Sequence, residues 1–161
     1  MTEQQIEVAA GVVARLTGKG RFQAEIALRG GTILADEPVE VGGGGTGPTP
    51  YELLSAALAA CTAMTLKLYA ERKGWTLPPF TVEAAHSAEA ERDRFTRAIA
   101  FEAPLDAAQE AKLLEIADKC PVHRTLVRGF EIVTRIGSDA APVPGEPAGR
   151  HQRDMEAACR D

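Results

Sequence analysis

Residues 50–72, PYELLSAALAACTAMTLKLYAER, predict a helix that is apolar on nearly every side. The segment carries no charge between Glu52 and Lys67, so its uncharged stretch, Leu53 to Leu66, is 14 residues long. A membrane-spanning helix needs about 20 such residues, so we expect a buried core helix. A helix without a polar face must be covered on all sides. A chain of 161 residues offers little sheet for this purpose, which favours cover by a second subunit.

The other segments predict an α+β fold with antiparallel strands. Strands precede the apolar helix, and a hairpin, an amphipathic helix with Leu113, Leu114 and Ile116 on its apolar side, and a short helical turn follow it. Strands and helices in separate runs are typical of α+β rather than alternating βαβ domains. The predicted elements are strands 6–16 and 21–28, a further strand with its exit over 32–41, a hairpin over 81–105, a helix over 106–119, a turn of helix from 120 and a last strand, FEIVTRI, over 130–136.

One domain is predicted over residues 1–136, followed by a tail over 137–161. The tail is rich in Pro, Ala and Gly and then in charged residues, and a short helix is one possibility for its end. His151 and Cys159 fall in this tail, where the sequence gives neither a functional role. Cys159 is therefore interpreted as a residue of a polar tail without a functional role.

Charge and cysteine content narrow the classes of partner and compartment. The net charge of −5 provides no basic surface for nucleic acid or for an anionic membrane, so neither partner is expected. The N-terminal MTEQQIEVAAGVV has two acidic residues before any apolar run, unlike a secretory signal. Three cysteines do not make a disulfide framework of the secreted kind. We expect a cytoplasmic protein with reduced thiols.

Cys61, in the middle of the apolar helix, has two interpretations. Free cysteine is one of the most frequently buried residues and can serve as a small apolar side chain. Alternatively the helix holds a reactive thiol. Because Cys61 lies about three turns from the helix start, the helix dipole does not activate it, and a reactive Cys61 needs a cation or base from another element.

Cys120 has a local environment that favours a low thiol pKa. In KCPVHR, Pro121 suits the first position of a helix, which makes Cys120 the N-cap. Its sulfur then faces unpaired N–H groups, with His123 and Arg124 nearby. The alternative is a helical turn whose cysteine is incidental. Cys120 and His123 have a Cys-x-x-His spacing, and Cys61 could be a third ligand. The sequence has no second close pair of ligands, so no metal is expected.

The segments GGGGTGPTPYELLSAALAACTAMTLKLYAERKGW and ADKCPVHRTL together resemble the OsmC/Ohr family, the osmotically inducible and organic hydroperoxide resistance proteins. The resemblance covers roughly residues 10–136. It implies an OsmC-like fold, with antiparallel sheets around a long buried helix, in an intertwined homodimer with active sites at the subunit interface. It also implies a thiol peroxidase without metal or organic cofactor.

In that activity Cys61 is the peroxidatic residue and Cys120 the resolving residue, and their disulfide is reduced by a lipoyl-type or thioredoxin-type dithiol. The family usually adds an arginine from the N-terminal region, held by a glutamate at the start of the cysteine helix. In the hydroperoxide resistance branch that glutamate follows the proline directly, where this chain has Tyr51. Glu52, one residue later, resembles the OsmC-like branch, although Thr49 and Glu52 also match a helix capping box.

The spacing does not fix the arginine. Arg15, Lys19 and Arg21 are the candidates, and Arg21, directly after the TGKG turn, is the predicted one. Two other functions use the same residues. One is a redox sensor that is oxidised by peroxide but does not turn over with a dithiol. The other is a dimer that binds a small apolar ligand in a pocket lined by the cysteines.

Overall fold

The computed structural model describes residues 11–90, 92–137, 143, 145–147 and 149–160. These residues divide into two compact units, one with the described residues up to 53 and from 133 to 147, the other with 54–132 and 149–160. The strands are β1 (Val13–Leu16), β2 (Ala24–Leu28), β3 (Gly31–Ala35), β4 (Phe80–Glu89) and β5 (Arg92–Phe101). The helices are α1 (Pro50–Lys73), α2 (Ala107–Asp118), α3 (Pro121–Arg128) and α4 (Arg150–Ala158), with a 3-10 turn at Val39–Val41.

The first unit is built on an antiparallel meander in the order β1-β2-β3. The register places Ile26 of β2 opposite Ile33 of β3. After β3 the chain enters the glycine-rich loop, which the buried Asp36 carboxylate organises by accepting hydrogen bonds from the Gly44 N–H and from the N–H and hydroxyl of Thr46. The Thr46 hydroxyl bond holds the pKa of Asp36 below its usual value.

Gly47 and Thr49 lead from this loop into α1. A Cβ at Gly47 would lie within 3 Å of the Leu34 carbonyl, so only glycine allows the loop to pass this close to β3. The predicted capping box forms at Thr49 and Glu52, because the Thr49 N–H donates to Glu52 Oε2 (2.7 Å) and the Glu52 N–H to Thr49 Oγ1 (3.2 Å).

The second unit packs the long helix α1 with a two-stranded antiparallel sheet and three shorter helices. The β4–β5 hairpin pairs Phe80 with Phe101 and His86 with Phe95, close to the predicted hairpin. Asp106 caps α2 by accepting from the Gln109 N–H. The core cluster consists of Leu66, Tyr69, Leu113, Ile116, Ala117 and Cys159. Helices α3 and α4 contact each other.

α1 is a core helix, as the sequence predicts. By length and apolar composition it could cross a membrane. However, eight of its residues are buried inside the protein: Ser55, Leu58, Cys61, Thr62, Thr65, Leu66, Tyr69 and Ala70. Antiparallel sheets and a long helix with eight buried residues confirm the predicted α+β class. One stripe of the helix, comprising Leu54, Ala57, Ala60 and Met64, remains exposed in the chain.

Several sequence expectations were wrong in detail. FEIVTRI is not a strand: residues 130–136 have no regular structure, and Ile132, Val133 and Ile136 are exposed. Strand propensity is local, whereas a strand also needs a neighbour to pair with. Leu114 is exposed while Leu113 and Ile116 are buried. Residues 6–10 of the predicted first strand lie outside the described residues, and the strand itself is only Val13–Leu16.

The C-terminal end contains a helix, α4, which belongs to the second unit. Cys159 directly follows it, is buried in the core cluster, and has its sulfur 3.7 Å from the Thr65 carbonyl oxygen. It is therefore an apolar core residue and not a passenger in a polar tail. The reason is that α4 is amphipathic and places its C-terminal end against α1.

Candidate active site

Cys61 and Cys120 lie side by side in the second unit. Their Sγ atoms are 3.3 Å apart, and the residues are 2% and 0% exposed. Both are free thiols. Cys61 is brought there by the middle of α1 and Cys120 by the start of α3, so the contact joins residues 59 positions apart.

The N-terminus of α3 faces both sulfurs. Cys120 is its N-cap, Pro121 takes the first helical position, and the Cys120 sulfur accepts from the His123 N–H at 3.4 Å. The Val122 N–H donates to Cys61 Sγ at 3.5 Å. Unpaired N–H groups at a helix start favour negative charge. The predicted N-cap geometry at Cys120 is confirmed, and it serves both thiols.

Arg97 of β5 supplies the nearby positive charge. Its guanidinium, in a side chain 13% exposed, donates to Thr62 Oγ1, to the Ala117 carbonyl and to Asp118 Oδ1, each at 3.0 Å. Thr62 Oγ1 lies 3.7 Å from Cys120 Sγ. Arg97 therefore reaches the thiol pair through Thr62 and by its charge, without contacting a sulfur directly.

The two thiols have opposite pKa shifts. The hydrogen bond from Cys61 lowers the pKa of Cys120 to about 6, helped by the His123 N–H, Thr62 and the charge of Arg97, while burial opposes the shift. The same contact and burial raise the pKa of Cys61. The pair therefore loses its first proton easily and holds the second strongly. These opposite shifts favour a single negative charge on the pair, which the two adjacent sulfurs stabilise together.

His151 also lies beside the thiol pair. It lies in the first turn of α4, and its Nε2 is 3.2 Å from Cys61 Sγ. An imidazole at this distance can donate to a thiolate or accept from a thiol, depending on its tautomer. Ninety positions separate the two residues in sequence.

Apolar side chains surround the sulfurs. Leu58, Cys61 and Cys120 form a buried cluster with Ala84, Phe95, Val122 and Leu126 packed against it. In such a low-dielectric setting the hydrogen bonds and charges at the thiols are stronger than in water. The arrangement can hold one reactive thiolate beside a second thiol in an apolar setting.

The remaining predicted site residues lie in the first unit. Glu52 completes the capping box with Thr49. The guanidinium of Arg21 stacks on the Phe22 ring at 4.8 Å from its centroid and lies close to Gly42. Their catalytic roles remain predictions. Among the described residues, no three His, Cys, Asp or Glu side chains are grouped as metal ligands.

The sequence contained a signal for Arg97 but none for His151. Along β5 the half-buried positions are Phe95, Arg97, Ile99 and Phe101, so alternation places Arg97 in the middle of the inward face. A charged residue inside an apolar alternation indicates a partner to neutralise or an anion to hold. His151 is followed by polar residues in a Pro-rich and charged segment, and only tertiary packing reveals its contact.

We expect the thiol pair to lose its first proton at a lower pH than an ordinary cysteine does. In the folded, reduced protein, thiolate absorbance near 240 nm should appear with a midpoint around pH 6, because the folded pKa of Cys120 is about 6 against an ordinary value of 9.0. The unfolded chain binds this proton up to higher pH. The free energy of unfolding should therefore rise as pH increases from about 6 to about 9, and fall on acidification through that window.

Cys61→Ala removes the largest cause of the lowered pKa of Cys120. The midpoint of the thiolate absorbance should therefore move up in pH, towards the value of an ordinary thiol. Cys159→Ala is the matched control, since Cys159 is also a buried thiol but lies against Thr65. It should leave the titration unchanged. A first thiolate that appears only above pH 8 in the unmodified chain contradicts the shared-charge description.

Known proteins share the sequence pattern and the fold of this chain. The sequence model of one family, described as OsmC-like protein, matches residues 42–135. No curated protein matches by sequence. The OsmC-like protein of Mycoplasma pneumoniae is similar in structure, with a TM-score of 0.59 and 20% identity over 76% of this chain and 89% of that one.

Two organic hydroperoxide resistance proteins share the fold as well. OhrB of Bacillus subtilis has a TM-score of 0.57 and 24% identity, and covers 74% of this chain and 90% of its own. The protein from Elizabethkingia anophelis has a TM-score of 0.56 and 21% identity, with 74% and 88% covered. These likenesses establish the fold, and the matched region contains both Cys61 and Cys120. The chain belongs to the OsmC-like protein family.

Proposed function

We propose that this protein is a cysteine-based thiol peroxidase that reduces organic hydroperoxides in defence against oxidative stress. The observation that carries the proposal is the pair of free thiols, Cys61 and Cys120, with sulfurs 3.3 Å apart in an apolar enclosure. Membership of the OsmC-like family and structural likeness to organic hydroperoxide resistance proteins support it.

The proposed cycle uses both sulfurs. The Cys61 thiolate attacks the terminal oxygen of the hydroperoxide, the O–O bond breaks, and the alkoxide leaves with the electron pair and takes a proton to become the alcohol. Cys61 is oxidised to a sulfenic acid. The Cys120 sulfur then attacks Cys61, hydroxide leaves and is protonated to water, and a disulfide forms. A dithiol reduces that disulfide to two thiols and is itself oxidised.

The surroundings of the sulfurs favour this chemistry over a purely structural role. The α3 N-terminus donates one N–H to each sulfur, which stabilises charge on either one. Leu58, Phe95 and Leu126 around the pair favour an apolar organic group on the peroxide. We assign the reductant to the lipoyl-type or thioredoxin-type dithiols and the compartment to the cytoplasm, where such dithiols keep thiols reduced.

Two arginines have separate proposed roles. Arg21 remains the proposed cation for the attack by Cys61, and Glu52 the residue proposed to hold it, on the strength of the family resemblance. Arg97 is assigned to Cys120, because its charge contributes to the low pKa of that thiol and its guanidinium bonds to Thr62 beside it. A more acidic Cys120 attacks the sulfenic acid faster at neutral pH, since the thiolate is the nucleophile.

The functional unit is proposed to be an intertwined homodimer. The exposed apolar stripe of α1 includes Leu54 and Met64, which are 43% and 53% exposed in the chain. Residues 130–136 carry strand-forming side chains that are exposed and lack regular structure. A second copy would cover the stripe and pair with this segment. These two features are the support for the dimer.

Oxidation by one equivalent of an organic hydroperoxide, such as cumene hydroperoxide, should link Cys61 to Cys120. The disulfide forms because the sulfurs are already in contact. Digestion without reductant followed by mass spectrometry identifies the linked peptides. Continued hydroperoxide consumption with excess dihydrolipoamide distinguishes an enzyme from a redox sensor, which is oxidised once and stops.

Three variants control this experiment. Cys61→Ser should abolish both the disulfide and turnover, and Cys120→Ser should leave a trappable sulfenic acid at Cys61. Cys159→Ala should retain disulfide formation and turnover, because Cys159 belongs to the core cluster. If both thiols stay free after hydroperoxide treatment, the peroxidase proposal is wrong, and retained apolar ligand binding in Cys61→Ser would favour a binding protein.

The two arginines should affect different steps. Arg21→Gln should slow the loss of hydroperoxide in a single turnover, whereas Arg97→Gln should slow disulfide formation roughly threefold to tenfold and let a sulfenic acid accumulate at Cys61. Stopped-flow kinetics with dimedone trapping separates these steps. Arg94→Gln, on the same strand but in an exposed pair with Glu89, is the control and should match the unmodified protein.

Sedimentation equilibrium should give twice the chain mass of 17.1 kDa. Met64→Glu should shift the protein towards monomers, because a charge would be buried in the proposed interface. Leu114→Glu, at a similarly exposed position on α2, should sediment like the unmodified protein. A monomeric unmodified protein at micromolar concentration, or equal effects of both substitutions, contradicts the proposed interface.

A further inference from the structure

The shared charge of the thiol pair raises the question of which sulfur carries it. Cys120 has the stronger local support, with the His123 N–H at 3.4 Å, Thr62 Oγ1 at 3.7 Å and the charge of Arg97. Cys61 accepts from the Val122 N–H at 3.5 Å. Each sulfur thus accepts from one backbone N–H, and the charge of Arg97 favours the thiolate at Cys120. A peroxidatic Cys61 needs a further contact that draws the charge to it.

His151 makes that contact. Its Nε2 is 3.2 Å from Cys61 Sγ, closer than either backbone N–H lies to its sulfur. The ring is held by α4, whose C-terminal end is anchored because Ala158 and Cys159 are buried. Arg150 and Asp154 of the same helix pair with each other at 3.1 Å. The anchored helix fixes the imidazole beside one sulfur of the pair.

We propose that His151 is a catalytic residue that places the thiolate on Cys61 rather than on Cys120. With both ring nitrogens protonated, the imidazolium donates a hydrogen bond from Nε2 to the Cys61 sulfur, and the proton of the pair then resides on Cys120. When the O–O bond breaks, the imidazole is beside the reacting sulfur and can give its proton to the leaving alkoxide. Solvent then returns a proton to the ring.

His151 lies outside the residues that the family model matches. The family match ends at residue 135, and α4 begins at Arg150. His151 therefore belongs to the part of the chain that the family match does not account for. The inference rests on the proposed function for its catalytic meaning, but the distribution of charge between the two sulfurs can be measured without any peroxide.

The test is the selectivity of alkylation between two thiols of one protein. The reduced protein is treated at neutral pH with less than one equivalent of iodoacetamide, and the ratio of labelled Cys61 to labelled Cys120 is read from peptides by mass spectrometry. The unmodified protein should label mainly at Cys61. His151→Ala should shift the ratio towards Cys120 by roughly tenfold, which is the usual effect of losing a hydrogen bond to a charged group.

The direction of the shift separates this role from a structural one. Removal of the ring opens space at Cys61, so a merely structural effect would increase labelling of Cys61. His151→Gln retains a donor without the charge and should give an intermediate ratio. Added imidazole should restore labelling of Cys61 in His151→Ala. His86→Ala removes an imidazole that pairs with Asp93 on the hairpin, and it should keep the original ratio.

A ratio in His151→Ala within twofold of the unmodified protein overturns the inference, as does a shift towards Cys61. The same proteins are then oxidised with cumene hydroperoxide. If the ratio shifts but no disulfide forms, the charge placement by His151 is confirmed and the peroxidase proposal fails. If the disulfide forms at an unchanged rate in His151→Ala and the ratio does not shift, the peroxidase proposal remains and the role of His151 is wrong.

Discussion

The contact between the sulfurs of Cys61 and Cys120 is the interaction on which the site depends. It requires that the middle of a helix be buried, which is possible because α1 has no charge from Leu53 to Leu66. It also requires that a helix begin at that point, which Pro121 ensures. A thiolate in an apolar interior is costly unless its charge is shared and hydrogen-bonded. The second thiol and the N-terminus of α3 meet both conditions.

The indirect position of Arg97 follows from the same requirement. Its guanidinium is held by Thr62, the Ala117 carbonyl and Asp118, so much of its charge is already engaged. A guanidinium bonded directly to one sulfur would fix the negative charge there. Held one side chain away, it makes the first ionisation of the pair easier and leaves the charge movable between the sulfurs. A two-step thiol mechanism uses both sulfurs as nucleophiles in turn.

The sequence predicted the parts of this site that depend on short-range patterns. The uncharged run indicated α1, Thr49 and Glu52 its capping box, and Cys-Pro the N-cap at Cys120. Arg97 could have been identified from the sequence, because alternation along β5 places it on the inward face. His151 could not have been identified in this way, since its contact with Cys61 joins residues 90 positions apart and has no local pattern. FEIVTRI is the opposite case, because its strand propensity is local, whereas a strand also needs a pairing partner and the described residues offer it none.

Access to the buried sulfurs is the remaining physical problem, and the elements around them differ in how firmly they are held. Cys61 belongs to α1, which contributes eight buried residues to the protein. None of the residues of α3, all of which are described, is buried, and its outer face includes the exposed Val127. Helices with few buried contacts open at the lowest free energy. Of the two elements that bring the sulfurs together, α3 is therefore the one that opens more easily, and α1 is the more firmly packed. The proposed disulfide is therefore most easily reached by a dithiol from the side of α3, while the sulfur that we propose to meet the hydroperoxide stays in the apolar setting of α1.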